Sequence, residues 1–308
     1  MNRFFKYLNK NYFSKKKTFI VAEIGTNHNQ DIKLAKKIIL EAKSSGADAV
    51  KFQMLNFEEQ YFSKDYSKKF KNNFKKLEFK DSWFDSLKTY CKKKKIIFFA
   101  SPTYKDSALK LIKKNDLIKV ASPQLATDDH LTNLIIKSNK TCILSNGLLT
   151  LQETKNKIKK YYKINKNIML LYCISKYPPK LNKLNLINIK HLSETLPCPI
   201  GFSDHTTSTD VPVYAVSLGA KIIEKHITLN NKAKGPDHKF ALEIDKFKLM
   251  VTKIRNFEKT LGKINKVLDK NEKKIIKNYT PKIVSNTLIK KNQKIHPMIK
   301  FFLKGAKK

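Results

Sequence analysis

Short apolar runs alternate with longer amphipathic segments between residues 19 and 261 of this 308-residue chain. The apolar runs have the length of strands, and the segments between them place apolar side chains at helical spacing, as Leu34, Ile38 and Ala42 do. The predicted strands are Phe19–Gly25, Ala47–Met54, Ile96–Ser101, Leu117–Ser122, Thr141–Asn146, Ile168–Ser175, Ile200–Asp204 and Lys221–Thr228. The predicted helices are Asp31–Ser45, Ser82–Lys94, Lys105–Asn115, Thr127–Ser138, Leu151–Tyr162, Leu184–Leu196, Ser208–Leu218 and Asp245–Leu261.

Eight strand–helix units in about 245 residues are typical of a (β/α)8 barrel in number and in size. The strands are nearly continuous apolar runs, as expected of a parallel sheet that is buried on both faces. A doubly wound sheet is disfavoured because the sequence contains neither a G-x-G-x-x-G turn nor a P-loop. We therefore predict an α/β fold, a (β/α)8 TIM barrel with a short basic C-terminal extension.

Three segments follow from this pattern. Residues 18–262 form the predicted barrel domain, and residues 1–17, with six basic residues and no acidic one, form a basic N-terminal extension. Residues 263–308 are a basic segment that is too short to be an independent domain. Within the barrel, Asn56–Asp81 is a long polar connection, which could form a wall of the active face or be a plain surface insertion.

The net charge of +39 would normally suggest a nucleic-acid partner. However, Arg3 and Arg255 are the only arginines, and the lysines are spread along the whole chain. Arginine is the residue that makes bidentate hydrogen bonds to phosphates and to guanine edges. Its scarcity therefore indicates that the excess of lysine is a compositional bias of the coding sequence. Nucleic acid is therefore disfavoured as a main partner, while anionic small molecules are favoured by the positive field.

Cellular location follows from features that the sequence lacks. No apolar run approaches the ~20 residues that a membrane helix needs, so we expect no membrane association. The first residues show no apolar core and no cleavage site of a secretory signal. The four cysteines are scattered without C-x-x-C spacing, which is typical of a reducing compartment. We predict a cytoplasmic protein.

Polar side chains occur at the C-terminal ends of the predicted strands, where barrel enzymes carry their chemistry. His205 and His226 end consecutive strands, whose tips lie about 5 Å apart in a sheet. Two imidazoles at that distance can share one divalent metal at ~2.0–2.2 Å each. Because only two ligands would come from the protein, room would remain for water and a substrate oxygen, as in a catalytic metal site.

Two lysines and several serines occupy the same rim. Lys51 and Lys119 end the second and fourth strands, and an inward lysine is costly to bury without an anion. With the serines at the neighbouring strand ends they form a candidate phosphate and carboxylate cradle, an electropositive pocket beside the metal. The serines are Ser101, Ser122, Ser145 and Ser203. The alternatives are that each lysine is solvent-exposed and that the serines only cap helices.

Two carboxylates complete the rim. Glu23 ends the first strand and could act as a general base or orient water. Asp237 follows the rigid Gly235–Pro236 turn after the last strand, which would present it toward the site, although a simple Asx-capped turn is the alternative.

Five motifs occur in order along the barrel domain. They are Phe19–Asn29 (FIVAEIGTNHN), Ala47–Gln53 (ADAVKFQ), Gly201–Thr206 (GFSDHT), Glu224–Thr228 (EKHIT) and Lys234–His238 (KGPDH). Together they resemble the N-acetylneuraminate (sialic acid) synthase family, which includes legionaminic and pseudaminic acid synthases. The resemblance implies a TIM-barrel transferase that condenses phosphoenolpyruvate with an N-acyl hexosamine, forms a nonulosonic acid and releases phosphate.

The resemblance also implies roles for individual residues. A divalent cation, Mn²⁺ or Mg²⁺, would be held by His205 and His226 and would polarise the sugar aldehyde. Glu23 matches the family's carboxylate that handles the attacking water or its proton. The phosphoenolpyruvate-binding positions match Lys51, Ser101, Lys119, Ser122, Ser145, Ser175 and Ser203. The sugar-contacting positions match Gln53, Tyr177 and Asp237.

The C-terminal segment departs from the family. Members usually carry an antifreeze-like domain there, whose arginine reaches the partner's sugar site across a homodimer. Here Lys282–Ile295 resembles only the first strand and turn of that domain, and no arginine follows Arg255. We therefore expect residues 263–308 to be a linker and a truncated remnant of that domain, with altered sugar binding and a less secure homodimer. The alternatives are a related phosphoenolpyruvate–sugar-phosphate aldol synthase and a non-catalytic barrel that binds anions or nucleic acid.

Overall fold

The structure is a computed structural model that describes residues 1–284, 288–294 and 300–302. It confirms the predicted barrel, because eight parallel strands pair in the order β3-β2-β1-β8-β7-β6-β5-β4, and β3 packs beside β4 to bring the two edges together. The strands are β1 Phe19–Gly25, β2 Ala49–Met54, β3 Ile97–Pro102, β4 Leu117–Val120, β5 Thr141–Ser145, β6 Ile168–Cys173, β7 Ile200–Asp204 and β8 Ile222–Thr228. A short β9, Leu242–Glu243, pairs with the end of β8.

Helices connect and surround the strands. They are α1 Arg3–Asn11, α2 Ile32–Ser44, α3 Phe57–Gln60, α4 Lys68–Lys75, α5 Trp83–Lys93, α6 Lys105–Lys114, α7 Ser122–Thr127, α8 Asp129–Lys137, α9 Leu151–Ile164, α10 Ile187–Thr195, α11 Val211–Ser217, α12 Ile244–Thr260 and α13 Lys270–Tyr279. The helix predicted at Thr127–Ser138 is confirmed as α8, whereas α7 is an additional short helix that begins at Ser122, where the sequence had predicted the end of a strand. Pro123 lies in the first turn of α7, where no N–H is needed, and the Asp128 carboxylate accepts from the Leu131 amide to begin α8.

The barrel interior is filled by every second residue of each strand. On β1, Phe19, Val21 and Glu23 lie on the inner face, whereas Ile20 and Ala22 pack outward against the helices. The inner residues near the N-terminal ends of the strands are apolar. The inner residues two or four positions further along are polar or charged on most strands. The predicted site residues therefore lie at the C-terminal end of the barrel.

The predicted N-terminal extension contains helix α1. Asn2 caps the helix by accepting from the Phe5 amide, and Phe5 and Leu8 are buried. These side chains pack with the apolar inner residues of the strands, among them Phe19 and Met169, and close the N-terminal end of the barrel. Residues 1–261 therefore form one compact unit that includes the basic segment.

The long Asn56–Asp81 connection folds into α3 and α4. Its aromatic side chains pack on one another, with the Phe57 ring 5.4 Å from Tyr61 and 5.7 Å from Phe74. The Gln60 side chain accepts from the Thr103 hydroxyl, just after β3. Of the two alternatives, the wall of the active face is favoured, because this contact lies at the C-terminal ends of the strands.

A second unit spans residues 262–308. Helix α13 begins with a capping box formed by Asp269 and Glu272, and β10 Lys282–Val284 pairs antiparallel with β11 Lys300–Phe302. The predicted remnant of an antifreeze-like domain, Lys282–Ile295, lies partly outside the described residues. Over the described part of the chain, no helix is long and apolar enough to cross a membrane. The expected homodimer and cytoplasmic location stay predictions.

Candidate active site

Four buried charged side chains meet in the barrel interior at the C-terminal ends of the strands. The Lys51 ammonium lies 3.0 Å from a carboxylate oxygen of Glu23 and 3.6 Å from one of Glu224. Lys119 contacts both oxygens of Glu224, at 2.9 and 3.0 Å. All four residues are less than 5 % exposed, so the alternative of solvent-exposed lysines is wrong for both Lys51 and Lys119.

Glu224 was not among the predicted site residues. It accepts from the Ser203 hydroxyl at 2.9 Å as well as from Lys119, and it bridges the two lysines. Its position two residues before His226 puts it on the inner face of β8, one step below the histidine. Residues two apart on a strand point to the same face, and this alternation is the signal that could have identified Glu224.

The cluster also corrects the expected electropositive pocket, since two carboxylates offset the two lysines. Burial raises the pKa of Glu23 to about 7, although Lys51 favours its charged form. Burial would also raise the pKa of Glu224, but Lys119 and Lys51 together hold it well below its usual range. Burial lowers the pKa of Lys119, although Glu224 favours its charged form, whereas at Lys51 burial is outweighed by the two carboxylates, which raise its pKa. At neutral pH the cluster therefore holds the Lys51 ammonium, one firmly ionised carboxylate and one carboxyl that can carry a proton.

Several serine hydroxyls surround this cluster. The Ser101 and Ser145 hydroxyls are buried and have no hydrogen-bond partner among the described residues. Ser122 accepts from the Gly147 amide at 3.0 Å. A side-chain carbon at Gly147 would lie 2.9 Å from the Ser122 hydroxyl and closer still to that of Ser175. Ser122 and Ser175 therefore lie close together beside Gly147, and Ser101 and Ser145 have hydroxyl protons left to donate.

The two predicted histidines lie together above the cluster, with ring centroids 5.6 Å apart. His205 donates through Nδ1 to the Ile174 carbonyl at 2.9 Å, which leaves the lone pair on Nε2. Nδ1 of His226 is buried and has no protein partner in the described chain. Burial lowers the pKa of both rings to about 3, so both are neutral.

The remaining predicted residues flank the histidines and Glu23. Tyr177 lies with its ring 4.1 Å from that of His205. Gln53 donates to Glu23 at 2.9 Å. Asp237 accepts from both the amide and the hydroxyl of Thr26, at 3.1 and 2.9 Å, which ties the loop after β8 to the end of β1.

The structure thus brings the predicted residues to one end of the barrel. In addition to Glu224, sequence reasoning missed Phe240, whose ring lies 4.9 Å from that of His226 and 4.8 Å from that of Tyr177. Phe240 lies outside any strand, so no periodic signal marks it. No group of three or more His, Cys, Asp or Glu side chains suited to hold a metal occurs in the described ranges, and the histidine pair stands as a two-ligand set.

A (β/α)8 barrel that gathers buried lysines, serine hydroxyls and two imidazoles at the C-terminal ends of its strands carries its polar side chains where TIM-barrel enzymes have their active sites. The model of the NeuB family matches residues 38–266. The chain belongs to the NeuB family.

Individual relatives agree with this assignment. N,N'-diacetyllegionaminic acid synthase from Campylobacter jejuni is 36% identical over 90% of this chain and 87% of its own length. N-acetylneuraminate-9-phosphate synthase from Mus musculus is 34% identical over 81% of this chain and 73% of its own length. The crystal structure of N-acetylneuraminic acid (sialic acid) synthetase from Leptospira borgpetersenii, in complex with citrate, superposes with a TM-score of 0.77 at 32% identity, covering 84% of this chain and 90% of that one. The protein is therefore an enzyme of a synthase family.

Proposed function

We propose that this enzyme condenses phosphoenolpyruvate with an N-acyl hexosamine, forms a nonulosonic acid and releases phosphate in a metal-dependent reaction. One observation carries the proposal. Two buried lysines, and two serine hydroxyls that have no partner among the described residues, lie beneath a pair of neutral imidazoles at the end of the barrel where TIM-barrel enzymes carry their active sites.

The lower part of the site suits phosphoenolpyruvate. Its phosphate and carboxylate need several donors, and Lys51 and Lys119 supply charge while Ser101 and Ser145 have hydroxyl protons to donate. Both lysines already face a carboxylate, so the anion would share them with Glu224. That arrangement keeps the ammonium groups paired before substrate arrives, which avoids the cost of unpaired buried charge.

The upper part suits a divalent cation, Mn²⁺ or Mg²⁺. The Ile174 carbonyl fixes the tautomer of His205 so that Nε2 is free to bind a metal, and the buried Nδ1 of His226 has no other partner in the described part of the chain. The residues present therefore fit the ion. When bound, it would supply Lewis-acid polarisation of the sugar aldehyde oxygen.

The chain's own residues would manage the rest of the reaction. C3 of phosphoenolpyruvate forms a bond to the aldehyde carbon, water adds at C2, and the C2–O bond breaks with its electron pair leaving on phosphate. The attacking water loses two protons in all: one goes to the new alkoxide, and the other goes to the departing phosphate as the C2 hydroxyl becomes the ketone. Glu23, oriented by Gln53 and Lys51, is placed to take the first of these protons from the water and pass it on.

A two-substrate turnover assay tests the proposal. The protein is incubated with phosphoenolpyruvate, Mn²⁺ and a panel of N-acyl hexosamines and their phosphates, and phosphate release is measured together with nonulosonic acid formation. We expect turnover with an unphosphorylated sugar, dependent on both substrates and on the metal. Turnover with sugar phosphates alone would replace the proposal by the sugar-phosphate reaction. Absence of turnover across the panel would contradict it.

The matched variants for this assay are Lys119→Met and Lys17→Met. Lys119 contacts Glu224 in the buried cluster, whereas Lys17 is a partly exposed lysine at the other end of the barrel, 3.8 Å from Asp48. We expect the KM for phosphoenolpyruvate to rise at least about tenfold in the first variant, because a charge-assisted contact is lost. The second should leave KM unchanged.

A further inference from the structure

A fully buried ion pair lies directly behind the two histidines. The Lys225 ammonium contacts the Asp204 carboxylate at 2.5 Å, and both side chains are 0 % exposed. Asp204 precedes His205 and Lys225 precedes His226, so their side chains lie on the outer face of strands β7 and β8, away from the barrel interior. The charge cluster of the site does not include this pair.

One ammonium group holds the chain on both sides of His205. Besides Asp204, Lys225 donates to the backbone carbonyl of Thr206 and lies 3.3 Å from the Thr206 hydroxyl. Thr206 in turn donates from its amide and its hydroxyl to Asp204, at 2.8 and 3.0 Å. His205 is therefore the middle residue of a three-residue segment whose first and last members are both fixed to the neighbour of His226.

The two histidines differ in how the backbone holds them. His226 lies within the β1–β8 ladder, opposite Glu23. The ladder between β7 and β8 ends at the pair of Asp204 and Lys225, and His205 follows that last pair. Beyond this pair, the hydrogen bond from the Lys225 side chain to the Thr206 carbonyl, rather than a backbone ladder, connects the chain after β7 to β8.

We propose that Asp204, Lys225 and Thr206 form a positioning clamp that sets the separation of the His205 and His226 rings and thereby the affinity of the site for a divalent cation. This inference rests on the proposed metal-dependent function. Partners that orient metal ligands from behind typically change metal affinity 10–100-fold when they are removed. The clamp acts on the peptide segment rather than on the rings, because Nδ1 of His205 is already held by Ile174.

The alternative is that the pair only stabilises the barrel, and the molecule contains a matched control. Arg255 contacts Asp48 at 2.9 Å near the N-terminal ends of the strands, and the Asp48 carboxylate also accepts from the Ile20 amide. This pair ties helix α12 to the N-terminal ends of the strands, so it also joins separate elements, but it lies at the end of the barrel opposite to the histidines. Breaking it should affect stability without affecting the metal.

The experiment measures binding of Mn²⁺ alone to the full-length protein, with free Mn²⁺ followed by its electron paramagnetic resonance signal. The main variant is Asp204→Asn with Lys225→Met, which removes both charges and so leaves none unpaired. Thr206→Val is the milder variant, since it removes a hydroxyl and keeps the ion pair. The control is Asp48→Asn with Arg255→Met, and thermal unfolding is measured for every protein.

We expect the dissociation constant for Mn²⁺ to rise 10–100-fold in the double variant and several-fold in Thr206→Val. The control should bind Mn²⁺ within twofold of the wild type even where its melting temperature falls. If the double variant does not fold, Thr206→Val decides the matter. Wild-type affinity in a folded clamp variant would overturn the inference while leaving the proposed function intact. A wild-type protein that binds no Mn²⁺ would overturn the metal dependence of the proposed function as well.

Discussion

The two ends of the barrel are built from the same strands and differ in what those strands place inside. At the N-terminal end, Phe19, Met169 and Ile222 pack with Leu8 of α1 into an apolar layer. Two or four residues further along the same strands, Glu23, Cys173, Glu224 and His226 occupy the equivalent inner positions. Strand periodicity thus separates a layer that stabilises the fold from a layer that carries charge, within one continuous core.

The difference between the ends has an energetic basis. Burial of apolar side chains at the closed end is favourable by about 25 cal/mol per Å² of surface removed from water. Burial of ionised groups at the other end costs several kcal/mol for each ion unless a partner is present. The carboxylates of Glu23 and Glu224 reduce that cost, and the buried hydroxyls and imidazole nitrogen that have no partner among the described residues are the groups that the proposed substrate and ion would satisfy.

The sharpest way to test this division is His226→Ala. The imidazole lies at the open end, so we expect activity to fall at least about 10³-fold, since metal polarisation is worth several kcal/mol. The free energy of unfolding should fall by only about 1–2 kcal/mol, because a ring with an unpaired nitrogen is lost from a packed site. Phosphate release and urea unfolding measure the two effects.

The control for that variant is His130→Ala, in which an exposed histidine of α8 is removed. It should change neither activity nor stability. A His226→Ala protein that retains metal-dependent turnover would contradict the role assigned to this residue.

The opposite end should respond in the opposite way. Leu8 of α1 is fully buried among the inner apolar residues, so Leu8→Ala should lower the free energy of unfolding by about 3 kcal/mol. The kcat/KM of the folded protein should stay within twofold of the wild type. Urea titration and steady-state kinetics on the same preparation check both expectations.

Leu40→Ala is the matched control, because Leu40 on α2 is 42 % exposed. Its unfolding free energy should change by less than about 0.5 kcal/mol. A loss of activity in folded Leu8→Ala equal to that of a site variant would show that the two ends are coupled.

Much of this arrangement was open to prediction from sequence, since it depends on local periodicity. Alternating inner and outer positions place Lys51 and Gln53 on one face of β2. The same alternation places Glu224 on the inner face of β8. It was overlooked because His226, two residues later on the same face, was interpreted as the functional residue of that strand. Helix α1 was missed for a similar reason. The basic charge of residues 1–17 was considered, and the helical spacing of Phe5, Leu8 and Tyr12 was not.

Other features depend on distances between segments far apart in sequence. Lys119 and Glu224 are 105 residues apart, and their contact follows from the closure of the barrel rather than from any local pattern. The same holds for the clamp of Asp204 and Lys225, whose residue types are visible in the motifs but whose pairing requires the β7–β8 register. Sequence therefore predicts which residues face the site better than it predicts which charges meet.

The smallest predicted effect concerns two buried serines, one at each end of the barrel. Ser145 and Ser45 both have buried hydroxyls that lack a partner in the described residues, and an unsatisfied buried hydroxyl is unfavourable. Ser45 follows α2 and precedes β2, at the closed end, whereas Ser145 ends β5 at the open end. Replacing either by alanine should raise the free energy of unfolding by up to about 1 kcal/mol.

Function should separate the two substitutions. Ser145→Ala should raise the KM for phosphoenolpyruvate about threefold to tenfold, because a hydroxyl available to the bound anion is lost at a cost of about 1 kcal/mol. Ser45→Ala should leave KM unchanged. Equal kinetics in the two variants, measured beside their unfolding curves, would mean that the Ser145 hydroxyl is a packing defect rather than a substrate donor, and Ser101 would then be the remaining serine with a free hydroxyl to contact the anion in the described site.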